Sequence, residues 1–228
     1  MKGPLIDLTT KVLGMFVAVA LALFLSAGTI VWPAGWAFLA LFFGFVVSLS
    51  LWLLRNNPDL LAERLTGVGR VDQKAWDKLF FAIALVLFFG WLVLMALDAI
   101  RFHWSEMPLW LQIVGALILV GSFWLFFLTF RENSYLSPAV RIQTERGHRV
   151  VTTGPYHYVR HPMYAAFVVY LLGAMLLLGS WYGSIVALLL FIAMARRAVL
   201  EERTLRTELH GYEAYMTAVR YRLVPYVW

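Results

Sequence analysis

Four long apolar runs constrain this chain more than any other feature of its sequence. They cover residues 12–32, 34–54, 79–97 and 109–130. Each run is about 20 residues long and almost free of charge, and a helix of that length crosses the ~30 Å hydrocarbon core of a bilayer. Two shorter apolar runs, 163–178 and 183–195, follow and are joined by a turn of small and aromatic residues. The pattern predicts about six membrane-spanning helices.

The predicted fold class is all-α: a polytopic membrane helical bundle of about six transmembrane helices with a C-terminal cytosolic helical tail. A helical architecture follows because lipid cannot satisfy the backbone groups at an exposed sheet edge. Hydrophobic residues make up 62% of the chain, against roughly 45–50% in soluble domains. The first run is longer than a secretory signal and leads straight into a second span, so we expect it to be retained as a helix. Residues 1–228 are predicted to form one integral membrane domain.

The basic residues follow the predicted topology. Of the 19 Lys and Arg, only Arg101 lies in the short alternate loops, and the others lie in the N-terminus, the two long loops and the tail. The positive-inside rule therefore places both termini and both long loops in the cytoplasm. We attribute the net charge of +6 to this topology and to anionic lipid headgroups, and expect the lipid bilayer, not nucleic acid, as partner. A bacterial inner membrane is favoured over the endoplasmic reticulum.

Several common kinds of functional site are excluded or disfavoured. The chain has no cysteine, so it forms no disulfide, thiolate nucleophile or Cys–metal site. The Gly-x-Gly of residues 66–72 is too short and wrongly spaced for a dinucleotide-binding fingerprint and is typical of a turn. His148 and His157 have no evident third ligand, so no metal is predicted. Asp98 and Glu106 are interpreted as polar residues at the outer membrane boundary.

The last two apolar runs bring distant polar residues together. A tight turn between them makes the two helices antiparallel, so residues 160–164 at the start of one lie beside residues 195–205 at the end of the other. Arg197 and Glu201 are four residues apart and share one face of a helix. Two polar clusters are therefore predicted to meet at the cytoplasmic boundary of the membrane.

The composition of these clusters suits a zwitterionic ligand. Arg160 and His161 precede a helix whose first turn accommodates Pro162. The free N–H groups at that helix start favour a carboxylate, and the acidic side chains favour an ammonium group. Taken alone, Arg-His-Pro is most simply a headgroup anchor, and Glu201-Glu202 is most simply a solvated helix face. The convergence of the two clusters favours a functional site.

These residues also resemble a known family. Residues 148–164, "HRVVTTGPYHYVRHPMY", are similar to the Gly-x-Tyr and Arg-His-Pro-x-Tyr block of the isoprenylcysteine carboxyl methyltransferases and the related membrane phospholipid methyltransferases. "EERTL" at residues 201–205 resembles the Glu-Glu-x-x-Leu of that family, and residues 210–225 resemble its Gly-x-x-Tyr tail, with His210 where the family usually has Phe or Tyr. The likeness covers about residues 131–225.

The resemblance implies an S-adenosyl-L-methionine-dependent methyltransferase with S-adenosyl-L-homocysteine as product. Residues 131–228 would be the cofactor-binding, catalytic part, and residues 1–78 an accessory N-terminal hairpin and loop. The implied cofactor-binding residues are Gln143, His148, Val150, Val151, Tyr156, His161, Pro162, Met163, Tyr164 and Glu201. The implied catalytic residues are Arg160, Arg197, Glu201 and Glu202, with Arg197 facing the methyl acceptor. Gln143 is spaced differently from the family pattern, and Ala166 stands where the family commonly has Gly.

The sequence leaves more than one methyl acceptor and more than one function class open. The favoured acceptor is amphiphilic or lipophilic and carries a carboxylate, such as a prenylated cysteine. A phospholipid amine or a small thiol is the alternative acceptor. An NADPH-dependent membrane reductase is the alternative enzyme, since membrane sterol reductases look similar in this C-terminal part. A non-enzymatic membrane scaffold is the third hypothesis. Transport is disfavoured because the spans are almost empty of charge.

Overall fold

The computed structural model describes residues 2–69, 71 and 73–228, with side chains from residue 5 onward. Arg70, Asp72 and the side chain of Lys2, which belong to the charge pattern and to the Gly-x-Gly segment, lie outside this description. Across the described part of the chain the regular structure is helical, without a β-strand. The all-α prediction is therefore confirmed.

Eight α-helices make up most of the regular structure of the described residues. They are α1 (Lys2–Ala27), α2 (Pro33–Asn56), α3 (Pro58–Thr66), α4 (Ala75–Ala96), α5 (Leu109–Glu132), α6 (Pro162–Leu178), α7 (Gly183–Glu208) and α8 (Tyr212–Ala218). Helices α1, α2, α4, α5 and α7 are long and apolar enough to cross a membrane. Helix α6 is apolar but shorter, at 17 residues. The structure thus provides five candidate spans and one short apolar helix.

Several helices begin or end at other residues than the apolar runs of the sequence, because turns and caps set their boundaries. Helix α1 ends at Ala27, before the run does, because Gly28 adopts a left-handed φ of 73°. Helix α3 occupies part of the predicted basic loop, and it begins where the Asn57 side chain accepts a hydrogen bond from the Leu60 amide at 3.2 Å. Helix α7 continues beyond residue 195 as one helix of 26 residues, which carries its polar end out of the apolar segment.

Helices α5 and α6 are in intimate contact because two glycines face each other at their crossing. A Cβ atom on Gly173 would lie 2.6 Å from the backbone nitrogen of Leu119, and one on Gly115 would collide with the backbone of α6 at Leu177. Small residues allow helix backbones in a membrane to approach closely and to gain dispersion energy. This crossing fixes the position of α6, whose first turn carries the Arg-His-Pro-x-Tyr segment.

Asp98, interpreted from the sequence only as a polar residue at the outer boundary, has a structural role. It lies in a π-helical turn (Leu97–Arg101) and is completely buried. Its Oδ2 accepts hydrogen bonds from Ser105 Oγ at 2.7 Å, Ser180 Oγ at 2.6 Å and the Tyr182 amide at 3.2 Å. The carboxylate therefore joins the end of α4 to the turn between α6 and α7. Glu106, by contrast, is exposed.

Candidate active site

A cleft opens where the polar end of α7 passes the beginning of α6. The space free of atoms is about 790 Å³, and this volume includes the part of the cleft that is open to solvent. Its walls come from the segment after α5, the first turn of α6, the polar part of α7, and α8. Most of the residues singled out from the sequence line it: Arg160, His161, Pro162, Met163, Tyr164, His148, Val150, Val151, Tyr156 and Glu201.

The Arg-His-Pro segment is held by backbone hydrogen bonds to the C-terminal tail. The amides of Arg160 and His161 each donate, at 2.9 Å, to the carbonyl oxygens of Tyr221 and Arg222. His161 then precedes α6 as its N-cap residue, and Pro162 takes the first helical position, where its missing N–H costs nothing. The segment that resembles the methyltransferase family is thus fixed on two sides before any ligand binds.

Glu202 connects that segment to the tail. Its Oε1 accepts from Arg160 Nε at 2.6 Å and lies 3.2 Å from His161 Nε2, and its Oε2 accepts from Arg222 Nε at 2.8 Å. Glu202 is buried, and it does not line the cleft. Arg160 also donates to the carbonyls of Val219 and Arg220, at 2.7 Å each. This ion-pair network builds the wall of the cleft.

A second network runs from α4 to the cleft through α7. Arg197 Nε donates to Asp77 Oδ1 at 2.9 Å, and Arg197 Nη1 donates to the Tyr164 hydroxyl at 2.7 Å. That hydroxyl in turn donates to Glu201 Oε2 at 2.5 Å. Arg197 also donates from Nη2 to the Pro138 carbonyl at 2.6 Å. The three residues that the hairpin argument brings together are therefore hydrogen-bonded in series.

Asp77 is the member of this network that sequence reasoning missed. It is completely buried, and its Oδ2 accepts from Gln73 Nε2 at 2.7 Å and from the Val140 amide at 3.0 Å. An acidic residue in the first turn of a helix is common because it complements the helix dipole, so its position alone does not reveal a tertiary role. Its pairing with Arg197, 120 residues away, appears only in the fold.

Three of the residues carried over from the family lie outside the cleft. Glu202 and Arg197 stand behind its walls, as described above. Gln143 is completely buried and supports the loop: its Nε2 donates to the Tyr135 carbonyl at 2.7 Å, and its Oε1 accepts from Arg146. Ala166 is also buried on α6 and does not line the cleft, so its extra methyl lies in the helix packing.

The loop before α6 supplies an aromatic and weakly basic wall. The imidazole of His148 stacks on the Tyr135 ring with a centroid separation of 4.7 Å. Burial, and next the positive charges of Arg141 and Arg146, lower the pKa of His148 to about 4. His148 is therefore neutral at physiological pH. Burial also raises the pKa of Tyr156 well above its ordinary value, so its phenol stays protonated.

The tail contributes residues to which sequence reasoning assigned no site role. Leu209, Tyr212 and Tyr215 line the cleft, and all three are buried. The Tyr215 hydroxyl donates to the Tyr156 carbonyl at 2.7 Å. The Tyr212 hydroxyl is buried and has no hydrogen-bond partner among the described residues. The available signal for Tyr212 and Tyr215 was their position in residues 210–225, the stretch that resembles the tail of the family.

Comparisons with known proteins find methyltransferases. The family described as phospholipid methyltransferase matches residues 110–211, from the first turn of α5 to just past the end of α7. Protein-S-isoprenylcysteine O-methyltransferase of Schizosaccharomyces pombe is 34% identical over 85 residues, which cover 36% of this chain and 36% of that protein. The aligned part thus spans about a third of the relative's length. The two matches confirm the resemblance to this group of membrane methyltransferases.

Proposed function

We propose that this chain is an integral membrane methyltransferase that transfers the methyl group of S-adenosyl-L-methionine to an amphiphilic or lipophilic acceptor. The acceptor group that we favour is a carboxylate, such as that of a prenylated cysteine. The observation that carries the proposal is the cleft itself. It combines the Arg-His-Pro-x-Tyr segment with Glu201, and most of its lining lies within residues 110–211, which the phospholipid methyltransferase family matches.

The polar groups of the cleft fit S-adenosyl-L-methionine. Glu201 Oε1 has no hydrogen-bond partner within the described part of the chain, and the buried Tyr212 hydroxyl has none either. A carboxylate oxygen suits the ammonium group of the ligand, and the rings of Tyr135 and His148 suit its adenine. We propose that Glu201, Tyr212, Tyr135, His148 and Tyr156 bind S-adenosyl-L-methionine.

The chemistry requires little more than positioning. When bound, S-adenosyl-L-methionine supplies a methyl group that its sulfonium already activates, so the protein chiefly orients and desolvates the reactants. We propose that Arg197, which is neutralised by Asp77, holds the Tyr164 hydroxyl, and that this hydroxyl holds Glu201. Arg160 and Glu202 keep the cleft wall in place through their ion pair. A carboxylate acceptor needs no proton removed.

A phospholipid amine is the second candidate acceptor, because the matched family is described as phospholipid methyltransferase. An amine must lose a proton when it is methylated, and Glu201 is the carboxylate in the cleft that would accept it. Carboxylate and amine transfer therefore differ in their dependence on Glu201 as a base.

The proposed topology has six spans, with α6 as the shortest, and both termini in the cytoplasm. The candidate spans and the alternation of basic segments support it. Residues 131–228 would form the catalytic part and residues 1–78 an accessory part of one membrane domain. The cleft would then open to the cytosol for the donor, at the level where a lipid-anchored acceptor meets the membrane surface.

The test is binding and transfer of labelled S-adenosyl-L-methionine with the purified full-length protein in lipid nanodiscs. We expect saturable binding and transfer of label to a prenylcysteine acceptor in preference to phosphatidylethanolamine and a small thiol. Absence of saturable binding in folded protein would refute the proposal. Competition by NADPH instead would support the reductase, and unchanged behaviour after Glu201→Ala would support a scaffold.

A further inference from the structure

A second cavity adjoins the cleft inside the bundle. It lies between α1, α2, α5 and α6, holds about 1280 Å³ of space free of atoms, and is walled mainly by aliphatic and aromatic side chains. The lining residues on α2 run from Phe42 to Leu53, a helical rise of about 16 Å. We call this second cavity the apolar groove. Met163 lines both the cleft and the groove, so the two meet at the start of α6.

A cation without an acidic partner stands at this junction. Arg64 of α3 lines the groove, and its Nη1 donates to the carbonyl of Leu136, a residue of the cleft wall, at 3.1 Å. Its guanidinium lies over the Phe130 ring, 4.6 Å from the centroid. Among the described residues no carboxylate forms an ion pair with Arg64. Burial, and then the charge of Arg197, lower the pKa of Arg64 to about 10, so it remains a cation in an apolar setting.

Two other cations near the junction are already neutralised. Arg197 is paired with the buried carboxylate of Asp77 at 2.9 Å. The Lys11 ammonium, which also lines the groove, is bound to Asp7 at 2.8 Å and to the Leu65 carbonyl at 2.5 Å. A charge that is partly removed from water is costly unless it is paired, so the half-buried Arg64 suits an anion entering this space.

We propose that Arg64 binds the anionic headgroup of a single-chain amphiphile whose hydrocarbon chain lies in the apolar groove, and that Arg64 thereby selects the methyl acceptor. This inference rests on the proposed function, because it takes the occupant of the groove to be the acceptor. Arg64 lies outside residues 110–211, so the part of the chain that matches the phospholipid methyltransferase family does not supply it. The N-terminal helices would then determine specificity.

The proposed transfer is balanced without a base. An oxygen of the acceptor carboxylate forms a bond to the methyl carbon while the carbon–sulfur bond breaks and its electron pair stays on sulfur. The products are a methyl ester and S-adenosyl-L-homocysteine, and no proton is released. Methylation removes the negative charge that Arg64 recognises, so the ester leaves more readily than the carboxylate enters. Arg64 therefore favours both substrate selection and product release.

The test compares a charged ligand with its neutral ester. Binding of doxyl-labelled stearic acid and of its methyl ester is measured on the full-length protein in nanodiscs, without donor, and a single-chain phosphate monoester serves as a second anion. The wild type should bind the anions about tenfold more tightly than the ester, as expected for one charge-assisted hydrogen bond. Arg64→Gln should abolish that preference, and Arg64→Lys should keep most of it. Arg55→Gln, at an exposed arginine of α2, is the matched control and should leave it unchanged.

Two outcomes overturn the inference. One is equal binding of the acid and the ester by the wild type, a result that needs no variant to fold. The other is a headgroup preference that survives in folded Arg64→Gln. Donor binding separates this inference from the proposed function: labelled S-adenosyl-L-methionine should bind Arg64→Gln as it binds the wild type. A protein that binds anions through Arg64 but never binds the donor would refute the methyltransferase proposal and leave the anion site standing.

Discussion

Two adjacent glutamates on α7 have different surroundings and therefore different roles. Glu201 is partly exposed in the cleft and keeps one carboxylate oxygen free of hydrogen bonds from the described residues. Glu202 is buried and neutralised by Arg160 and Arg222. Sequence alone assigns both to one motif, because neighbouring residues on a helix point about 100° apart and only packing decides which one faces the ligand.

We expect Glu201→Gln and Glu202→Gln to separate binding from stability. Glu201→Gln should weaken binding of S-adenosyl-L-methionine about tenfold or more, because the free carboxylate is lost, with a small change in melting temperature. Glu202→Gln should lower the free energy of unfolding by about 3 kcal/mol, because it leaves buried cations unpaired. Isothermal titration and thermal unfolding of the two proteins measure these effects. If the two substitutions changed donor binding equally and stability equally, the different roles assigned to Glu201 and Glu202 would be wrong.

The neutral state of His148 gives a pH prediction. Its pKa of about 4 in the folded protein lies below the ordinary value of 6.5, so the unfolded chain binds a proton more readily between these values. The free energy of unfolding should therefore fall as the pH decreases from about 6.5 to about 4. His148→Gln should lose less stability over this interval than the wild type, as measured by thermal unfolding in detergent. His157→Gln, at an exposed histidine, is the control.

Among the elements, the α6–α7 hairpin was predictable and the contacts of α4 were not. Antiparallel packing follows from the short turn, and it correctly places Arg160 and Tyr164 beside the glutamates of α7. The role of Asp77 depends on how α4 packs against α7, which the apolar pattern does not specify. Residue spacing predicts contacts within a hairpin, whereas contacts between hairpins depend on side-chain packing across the whole bundle.

The glycine crossing of α5 and α6 gives a prediction at the scale of the element. Gly173→Leu should move α6 away from α5, because even a Cβ atom there would lie 2.6 Å from the Leu119 nitrogen. The shift displaces the first turn of α6, so donor binding and stability should both fall. Gly121→Leu on α5 is the matched control, since a Cβ atom there meets nothing within 4 Å. Measurements of donor binding and melting temperature on both variants test the contrast, and similar losses in both would refute it.

For the whole molecule, the absence of cysteine makes the proposed topology directly testable. Trp104→Cys lies in an exposed loop on the proposed outer side, and Thr217→Cys lies on α8 on the proposed cytoplasmic side. A membrane-impermeant maleimide should label Trp104→Cys in intact cells and should label Thr217→Cys only after permeabilisation. The unmodified chain provides a background without reactive thiols. Labelling of Thr217→Cys in intact cells would place the tail, and with it the cleft, on the other side.

The whole molecule also shows why the apolar pattern predicted the architecture but not the ligand. Long uncharged runs decide how many helices enter the membrane, and their flanking charges favour one orientation. The junction of cleft and groove combines α3, the segment after α5, and the start of α6. Arg64 counts as one more basic loop residue in the sequence, and the proposal for it depends on its half-buried position at the junction, without an acidic partner among the described residues.

The shortness of α6 ties the proposed enzyme to the thickness of its host membrane. Its 17 residues rise about 25 Å, less than the ~30 Å of an average hydrocarbon core. If α6 crosses the bilayer as proposed, the bilayer would thin around it or draw the helix inward, and either adjustment would carry a hydrophobic-mismatch energy that grows with acyl-chain length. In that topology the floor of the cleft at Pro162 and Met163 would lie near the lipid ester groups, where a lipid-anchored acceptor would reach the donor by lateral diffusion.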